Sequence, residues 1–269
     1  MHHREHRAHR AVSVLSVFSV VIPKKKWGQN FLRNRAAAEK IVAAIEPRPG
    51  EMIVEIGPGE GVLTEKLMTL GAEVMAIEID PDLAETLRHR FGDIVLNADA
   101  LATPLPARPF RAVGNLPYNV GTPIVRRVIA DPNFRRAVFM LQKEVADRLV
   151  ARPGDEQYGF LTLYRQLFAS ARILMTLEPG SFHPRPKVRS AVVVLDADRK
   201  PYASDEIIDL ISAAFRMRRK KLVNNLTNFG SREEILEVLT RAGIDPNARA
   251  EELPLDAFVR IADHLRRLA

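Results

Sequence analysis

Met52-Ile53-Val54-Glu55-Ile56-Gly57-Pro58-Gly59-Glu60-Gly61 is the stretch that decides the fold. Its apolar first half reads as a buried strand, and a glycine-rich turn follows at once. Val62, Leu63, Leu67 and Leu70 then recur at helical spacing. Strand, glycine turn and helix in that order are the opening unit of a parallel sheet. Such a turn lets the backbone approach a ligand closely at the carboxyl edge of the sheet. The spacing is Gly-x-Gly-x-Gly, one residue tighter than the Gly-x-Gly-x-x-Gly of dinucleotide sites. Glu55, two places before Gly57, would also repel a phosphate. Gly57 and Gly59 therefore suit a nucleoside that carries no phosphate, with an ordinary tight turn as the competing reading.

Working outward, Glu73-Val74-Met75-Ala76-Ile77-Glu78-Ile79-Asp80 reads as the second strand. Glu78 stands 21 residues beyond Gly57, the offset at which a carboxylate meets ribose hydroxyls. Asp80-Pro81 before an apolar-periodic run reads as a helix cap with proline in the first turn. The next strand, Ile94-Val95-Leu96-Asn97, ends in Ala98-Asp99-Ala100. Asp99 can accept a hydrogen bond from an adenine amino group, or it can simply cap a helix. Glycines, Glu and Asp on successive strand ends describe a site for S-adenosylmethionine.

Arg111-Ala112-Val113-Gly114 then leads into Asn115-Leu116-Pro117-Tyr118. The exocyclic amine of adenine is a poor nucleophile, because its lone pair is delocalised into the ring. An amide oxygen from Asn115 and the Leu116 carbonyl can accept the amine's two N–H bonds and aim the lone pair at an electrophile. That requires positioning and electrostatics and no strong base. Pro117 fixes the direction of the carbonyl before it, and Tyr118 offers a face to an unstacked base. The plainer alternative is a strand followed by an ordinary turn.

With these segments assembled, the chain closely resembles the ribosomal RNA adenine dimethyltransferases, in particular their bacterial small-subunit branch. The resemblance runs from about Lys24 to near the C-terminus. It rests on Gly28-Gln29-Asn30-Phe31-Leu32, the glycine loop, Glu78, Asp99 and Gly114-Asn115-Leu116-Pro117-Tyr118-Asn119. Leu141-Gln142-Lys143-Glu144-Val145-Ala146 and Phe182-His183-Pro184-Arg185-Pro186-Lys187-Val188 add to it. It implies that Asn30 and Leu32 close over the methionine side of the cofactor, that Gly57 passes beneath it and that Glu78 holds the ribose. It implies further that Asp99 binds the adenine ring, that Asn115 touches both cofactor and target base, and that Phe182 covers the flipped adenine opposite Tyr118. The implied activity is dimethylation of two adjacent adenines near the 3′ end of 16S rRNA in the immature small ribosomal subunit. A large-subunit adenine methyltransferase and an assembly factor acting mainly by binding are the alternatives.

Ser181-Phe182-His183-Pro184-Arg185-Pro186 excludes helix and central strand through its prolines and reads as a rigid loop. Without the resemblance, Phe182 could equally be core packing. Ser190 to Leu195 and Ile173-Leu174-Met175 suggest a terminal antiparallel pair. Asp196 to Pro201 is a short polar linker, and only helical periodicity follows. Arg216, Arg218, Arg219, Lys220 and Lys221 crowd around an expected helix there. They read as an RNA-binding surface, against the plainer reading of a solvated face. The family's small-subunit members carry a similar pattern at this place.

The expected architecture is α/β: a doubly wound, Rossmann-like S-adenosylmethionine methyltransferase sheet with a small all-helical C-terminal domain. The boundaries expected are an extension over 1–22, a methyltransferase domain over 23–198 and a helical RNA-binding domain over 199–269. The chain of 269 residues suits that division. A net charge of +7 favours a polyanionic partner. The absence of cysteine excludes disulfides and thiolate metal sites and permits a cytoplasmic setting. No apolar run reaches the roughly 20 residues of a membrane span. No metal is implied, and a monomer is expected. Residues 1–22 depart from the family pattern: four histidines precede an apolar run that mimics a signal peptide without its cleavage site. Lys24 to Trp27 would lead into the cofactor-closing segment and could contact RNA.

Overall fold

The computed structural model describes residues 29–267. The expectations for residues 1–22 and for Lys24 to Gly28 lie outside them.

Seven strands form one sheet: β2 (Met52–Ile56), β3 (Glu73–Glu78), β4 (Val95–Asn97), β5 (Phe110–Asn115), β6 (Phe134–Gln142), β7 (Ala169–Leu177) and β9 (Ser190–Ala197). Their order is β4-β3-β2-β5-β6-β9-β7. The first five strands in that order are parallel, and β9 runs antiparallel between β6 and β7. The terminal antiparallel pair read from the sequence is therefore present. A further two-stranded ladder joins β1 (Phe31–Leu32) to β8 (Phe182–His183), with Leu32 opposite Phe182. That ladder is a departure from the rigid loop expected over 181–186. The prolines bar a long strand but leave Phe182 and His183 free to pair.

Helices cover both faces, and the strands show why. α1 (Arg35–Ile45), α2 (Val62–Thr69) and α3 (Pro81–Phe91) pack on one set of strand residues, among them Ile53, Val74, Val113, Val138 and Val192. α4 (Gly121–Ala130), α5 (Lys143–Val150) and α6 (Phe160–Phe168) share the other cluster, with Val54, Ile77, Ala112, Phe139 and Val193. Neighbouring residues point to opposite faces, so these strands must be apolar on both sides. Side chains also cap two of these helices, α1 and α3. Asn34 accepts from the Ala37 N–H at 3.0 Å, and Asp80 accepts from the Asp82 N–H at 3.2 Å, with Pro81 in the first turn of α3.

After Ala197 every regular element is helical: α7 (Asp205–Ala214), α8 (Leu222–Asn225), α9 (Arg232–Arg241) and α10 (Leu255–Leu265). Their buried residues, including Ile207, Val223, Leu239 and Phe258, belong to the same cluster as α4–α6. Tyr158 crosses this junction. Its ring meets Phe215 edge-on at 6.2 Å, and its hydroxyl donates to the Leu253 carbonyl at 2.7 Å.

The basic run corrects one expectation. Residues 215–221 are a turn between α7 and the four-residue α8, not a helix. The buried Asn225 side chain donates to the carbonyls of Ala214 (2.7 Å) and Met217 (3.2 Å). Acceptors at the end of α7 are thus satisfied from outside the helix, and five cations in six positions would repel one another along a helical face.

Candidate active site

The sheet order reverses between β2 and β5, and there the loops after the two strands part and leave a crevice. A cleft opens at this point, walled by the ends of β2, β3 and β5 and by residues 29–31. Asn30, Gly57, Gly59, Glu78, Asp99, Asn115, Leu116, Pro117 and Tyr118 all line it. Most of the residues expected from the sequence thus meet in one place.

Two glycines explain how the walls come so close. A Cβ on Gly114 would lie 2.2 Å from the Ile56 carbonyl oxygen, so only glycine lets the ends of β5 and β2 approach. Gly59 has φ +59°, and a Cβ there would lie 3.1 Å from the Phe31 ring. The glycine loop is therefore shaped both by its backbone and by the segment folded over it.

Glu78 is buried, and its carboxylate is oriented by backbone donors. Its Oε1 accepts from the Asp80 N–H at 2.9 Å and its Oε2 from the Gly59 N–H at 3.2 Å. Each oxygen keeps a second lone pair for a ligand hydroxyl. Burial pushes the Glu78 carboxyl above the usual carboxylate range, and these backbone donors oppose the shift. Beneath the loop, fully buried Glu55 accepts from the Thr64 hydroxyl at 2.6 Å. Burial is the main cause that pushes its carboxyl up to about 7, and the nearby Glu78 adds to the shift. Acids so placed disfavour a pyrophosphate and favour a neutral nucleoside or a cationic group.

Asp99 is exposed at the rim. Its Oδ1 accepts from the Leu101 N–H at 2.8 Å, and its carbonyl accepts from the Thr103 hydroxyl at 2.7 Å. No helix starts at Asp99, so these bonds close a local turn rather than cap a helix, and they leave Oδ2 as a further acceptor on the rim. Asn115 donates its side-chain N–H to the Asn30 carbonyl at 2.6 Å. With its nitrogen held there, its Oδ1 is the end left to accept from a ligand. Tyr118 is half-buried, its hydroxyl within 2.9 Å of the buried Ser190 hydroxyl, and burial raises the phenol above its ordinary range.

The segment 29–33 closes over the cleft through several contacts. Gln29 donates to Asp80 at 2.9 Å, Asn30 meets Asn115 as above, and Arg33 pairs with Glu60 at 2.7 Å. Leu32 and Phe182 do not line this cleft directly. Leu32 borders a smaller pocket that adjoins the cleft and shares Gly57, Gly59 and Asn115 with it. Phe182 is 3 % exposed within the cluster beneath α1. A ring so buried presents no open face, and the aromatics that line the cleft are Tyr118 and Phe31. Sequence reasoning left out Phe31 and Ile79, which also line it. Ile79 is 37 % exposed, and an apolar residue between two acids at a strand end was the signal.

Of the basic residues, Arg218 pairs with Glu251 at 2.8 Å and also donates to the Glu156 carbonyl. Lys221 donates to Asn247 at 2.6 Å. Arg216, Arg219 and Lys220 are exposed and have no side-chain hydrogen-bond or ion-pair partner among the described residues. No cluster of His, Cys, Asp and Glu fit to hold a metal occurs among the described residues, and no helix there is long and apolar enough to cross a membrane.

The chain is similar to known proteins along most of its length. The family model for ribosomal RNA adenine dimethylase matches residues 22–267. A ribosomal RNA small subunit methyltransferase A from Methylococcus capsulatus is 43% identical over 256 residues, covering 91% of this chain and 98% of that protein. The protein of the same name from Hahella chejuensis is 42% identical, covering 90% and 92%. Among solved structures, a dimethyladenosine transferase from Plasmodium falciparum superposes with a TM-score of 0.77 at 27% identity, covering 86% of this chain and 95% of that one. The 23S rRNA methyltransferase ErmE gives 0.69 at 28% identity, covering 88% and 100%. A match that spans the glycine loop, the Asn115 turn and the helical end alike makes this chain a member of the ribosomal RNA adenine dimethylase family.

Proposed function

We propose that this protein uses S-adenosylmethionine to dimethylate the N6 amines of two adjacent adenines near the 3′ end of 16S rRNA. The observation that carries the reading is Asn115. Its amide nitrogen is engaged by the Asn30 carbonyl, and its oxygen is the remaining polar end at a cleft built for a nucleoside.

The residues fit the cofactor: a glycine cradle that a Cβ would fill, a buried carboxylate with both oxygens oriented, and a second acceptor on the rim. Glu78 would hold the ribose hydroxyls and Asp99 the adenine amine. Asn30, Gly57 and Gly59 would border the remainder. When bound, the cofactor supplies an electrophilic sulfonium methyl group. Asn115 Oδ1 and the Leu116 carbonyl accept from the target amine and aim its lone pair, with Pro117 fixing the turn. These are neutral acceptors, so they tolerate an intermediate that has already lost one N–H to methylation. Tyr118 provides the stacking face, and the hydrogen bond to Ser190 keeps its ring from rotating away. Phe182, with Leu32, supports the closed segment from below.

Residues 199–269 would form the RNA-gripping region, with Arg216, Arg219 and Lys220 presented to phosphates. Arg218 and Lys221 would brace that turn from within. The setting would be the cytoplasm, acting as a monomer on immature small subunits. The test is transfer of radiolabelled methyl groups to immature small subunits, naked 16S RNA and large subunits in parallel. Labelling confined to small-subunit particles supports the reading. Preference for large subunits would replace it with the large-subunit activity, and assembly rescued in full by Asn115→Ala protein would favour a binding factor.

A further inference from the structure

Between β4 and β5 the chain runs through residues 98–109 without regular secondary structure. Its first part, Ala98, Asp99 and Ala100, forms one wall of the cleft. A connection of that length needs a fixed point if its side chains are to recognise a ligand. Within the loop, Asp99 winds the chain into a single turn. Its carbonyl accepts from the Thr103 N–H at 2.9 Å and from the Thr103 hydroxyl at 2.7 Å.

Arg127, on α4, closes that turn from outside. One guanidinium nitrogen donates to the Ala100 carbonyl and another to the Thr103 carbonyl, each at 2.6 Å. A cationic fork spanning two carbonyls at the end of a turn satisfies acceptors that the turn itself leaves unpaired. The same helix begins at Gly121, shortly after the Asn115 turn, and its Val120 and Ile124 neighbourhood also lines the cleft. One helix thus carries the catalytic turn at its head and fastens the adenine-side wall in its second turn.

We propose that Arg127 is a positioning residue for cofactor recognition: it holds the Asp99 turn so that the Asp99 carboxylate meets the exocyclic amine of the cofactor's adenine. The consequence is base selectivity. This inference rests on the S-adenosylmethionine reading above. Asp99 rewards an amine donor and disfavours a carbonyl oxygen at the same place, provided the turn holds it still. Release of the turn costs selectivity first. The methyl-transfer turn at Asn115 keeps its own bonds to Asn30 and to the backbone of β6.

The test is calorimetric binding of S-adenosylhomocysteine and of S-inosylhomocysteine, which carries a carbonyl oxygen where adenine has its amine. Wild-type protein is expected to prefer the adenosyl compound by about tenfold or more. Arg127→Ala is expected to lose about tenfold for the adenosyl compound and little for the inosyl one, so that the preference collapses. Arg127→Lys keeps the charge but not the fork, and should fall between the two. Should Arg127→Ala fail to fold, Arg127→Lys and Thr103→Val, which loosens the same turn, carry the test through the same ratio. An equal loss for both compounds would make Arg127 a merely structural residue, and an unchanged ratio in a folded variant would likewise overturn the proposal. Failure of the wild type to bind either compound would instead overturn the cofactor reading itself.

Discussion

The cleft and the basic turn at 215–221 are both rich in charge, yet they are built on opposite principles. In the cleft, polar groups are fixed before any ligand arrives. Glu78 is held by two backbone donors, Asn115 by a carbonyl and Tyr118 by a serine hydroxyl. At the basic turn Arg218 and Lys221 are spent on internal partners, while Arg216, Arg219 and Lys220 project into solvent. Orientation matters where a lone pair must be aimed at a carbon atom, and it matters little where a polyanion must be held. The difference sets how each region should respond to mutation, salt and pH.

The largest effect is expected at Asn115. Asn115→Ala removes a preorganised acceptor, a change worth about 10²–10³-fold in kcat by comparison with the loss of one oxyanion-hole donor. Single-turnover transfer should show this loss while cofactor binding is largely kept. A loss confined to cofactor affinity would break the comparison, since it would make the amide a binding group only. Glu78→Ala comes next. A charge-assisted hydrogen bond is worth roughly 1.5–3 kcal/mol, so affinity for S-adenosylmethionine should fall about 10–150-fold by calorimetry. Unchanged affinity would remove Glu78 from the site.

Glu55 sharpens the comparison through pH. Its carboxyl titrates at about 7 in the folded protein, against 4.5 for a glutamate side chain free in water, so folding favours the protonated form. That contribution is fully present below about pH 4.5, declines as pH rises towards 7 and is absent above it. Glu55→Gln keeps an acceptor for Thr64 and has no charge to bury. It should raise stability at pH 8 by about 3 kcal/mol, and the gain should vanish near pH 4. A gain independent of pH would mean that Glu55 is not the titrating group.

At the basic turn the effect is smaller and governed by salt. Reversing charge at Arg216, Arg219 and Lys220 should cost about tenfold in RNA affinity. It should also lower the salt slope by about 2, the value for three phosphate contacts on a single strand. Arg218→Ala should lower the melting temperature and leave the slope nearly unchanged, because its partners are Glu251 and the Glu156 carbonyl. Equal slopes for the wild type and the triple variant would reduce the turn to a solvated face.

The same contrast explains what the sequence made legible. Glycine spacing, an acid at a strand end and a proline after Asn115 have geometric meaning wherever they occur, so the sheet, the cleft and nine of its lining residues could be read in advance. A run of cations has no fixed geometry. Residues 215–221 were expected on a helix, and only packing revealed that Asn225 takes up the Ala214 and Met217 carbonyls and that two of the five cations have partners within the protein. Phe182 was ambiguous for a related reason. An aromatic beside prolines fits a stacking platform or a core position, and the choice depends on Leu32, 150 residues away and directly across the β1–β8 ladder. Arg127 carries no motif at all, since its partners are backbone carbonyls supplied by another part of the chain.

The central claim is that a neutral, prearranged amide at the cleft directs the methylation of an adenine amine twice. Its most direct test is mass spectrometry of nucleosides digested from small-subunit RNA after reaction with the protein and S-adenosylmethionine. The account predicts N6-methyladenosine appearing first and N6,N6-dimethyladenosine replacing it, with both formed about 10²–10³-fold more slowly by Asn115→Ala. Methylation on a ribose oxygen, on a pyrimidine ring carbon, or dimethyladenosine formed at the wild-type rate by Asn115→Ala, would contradict it.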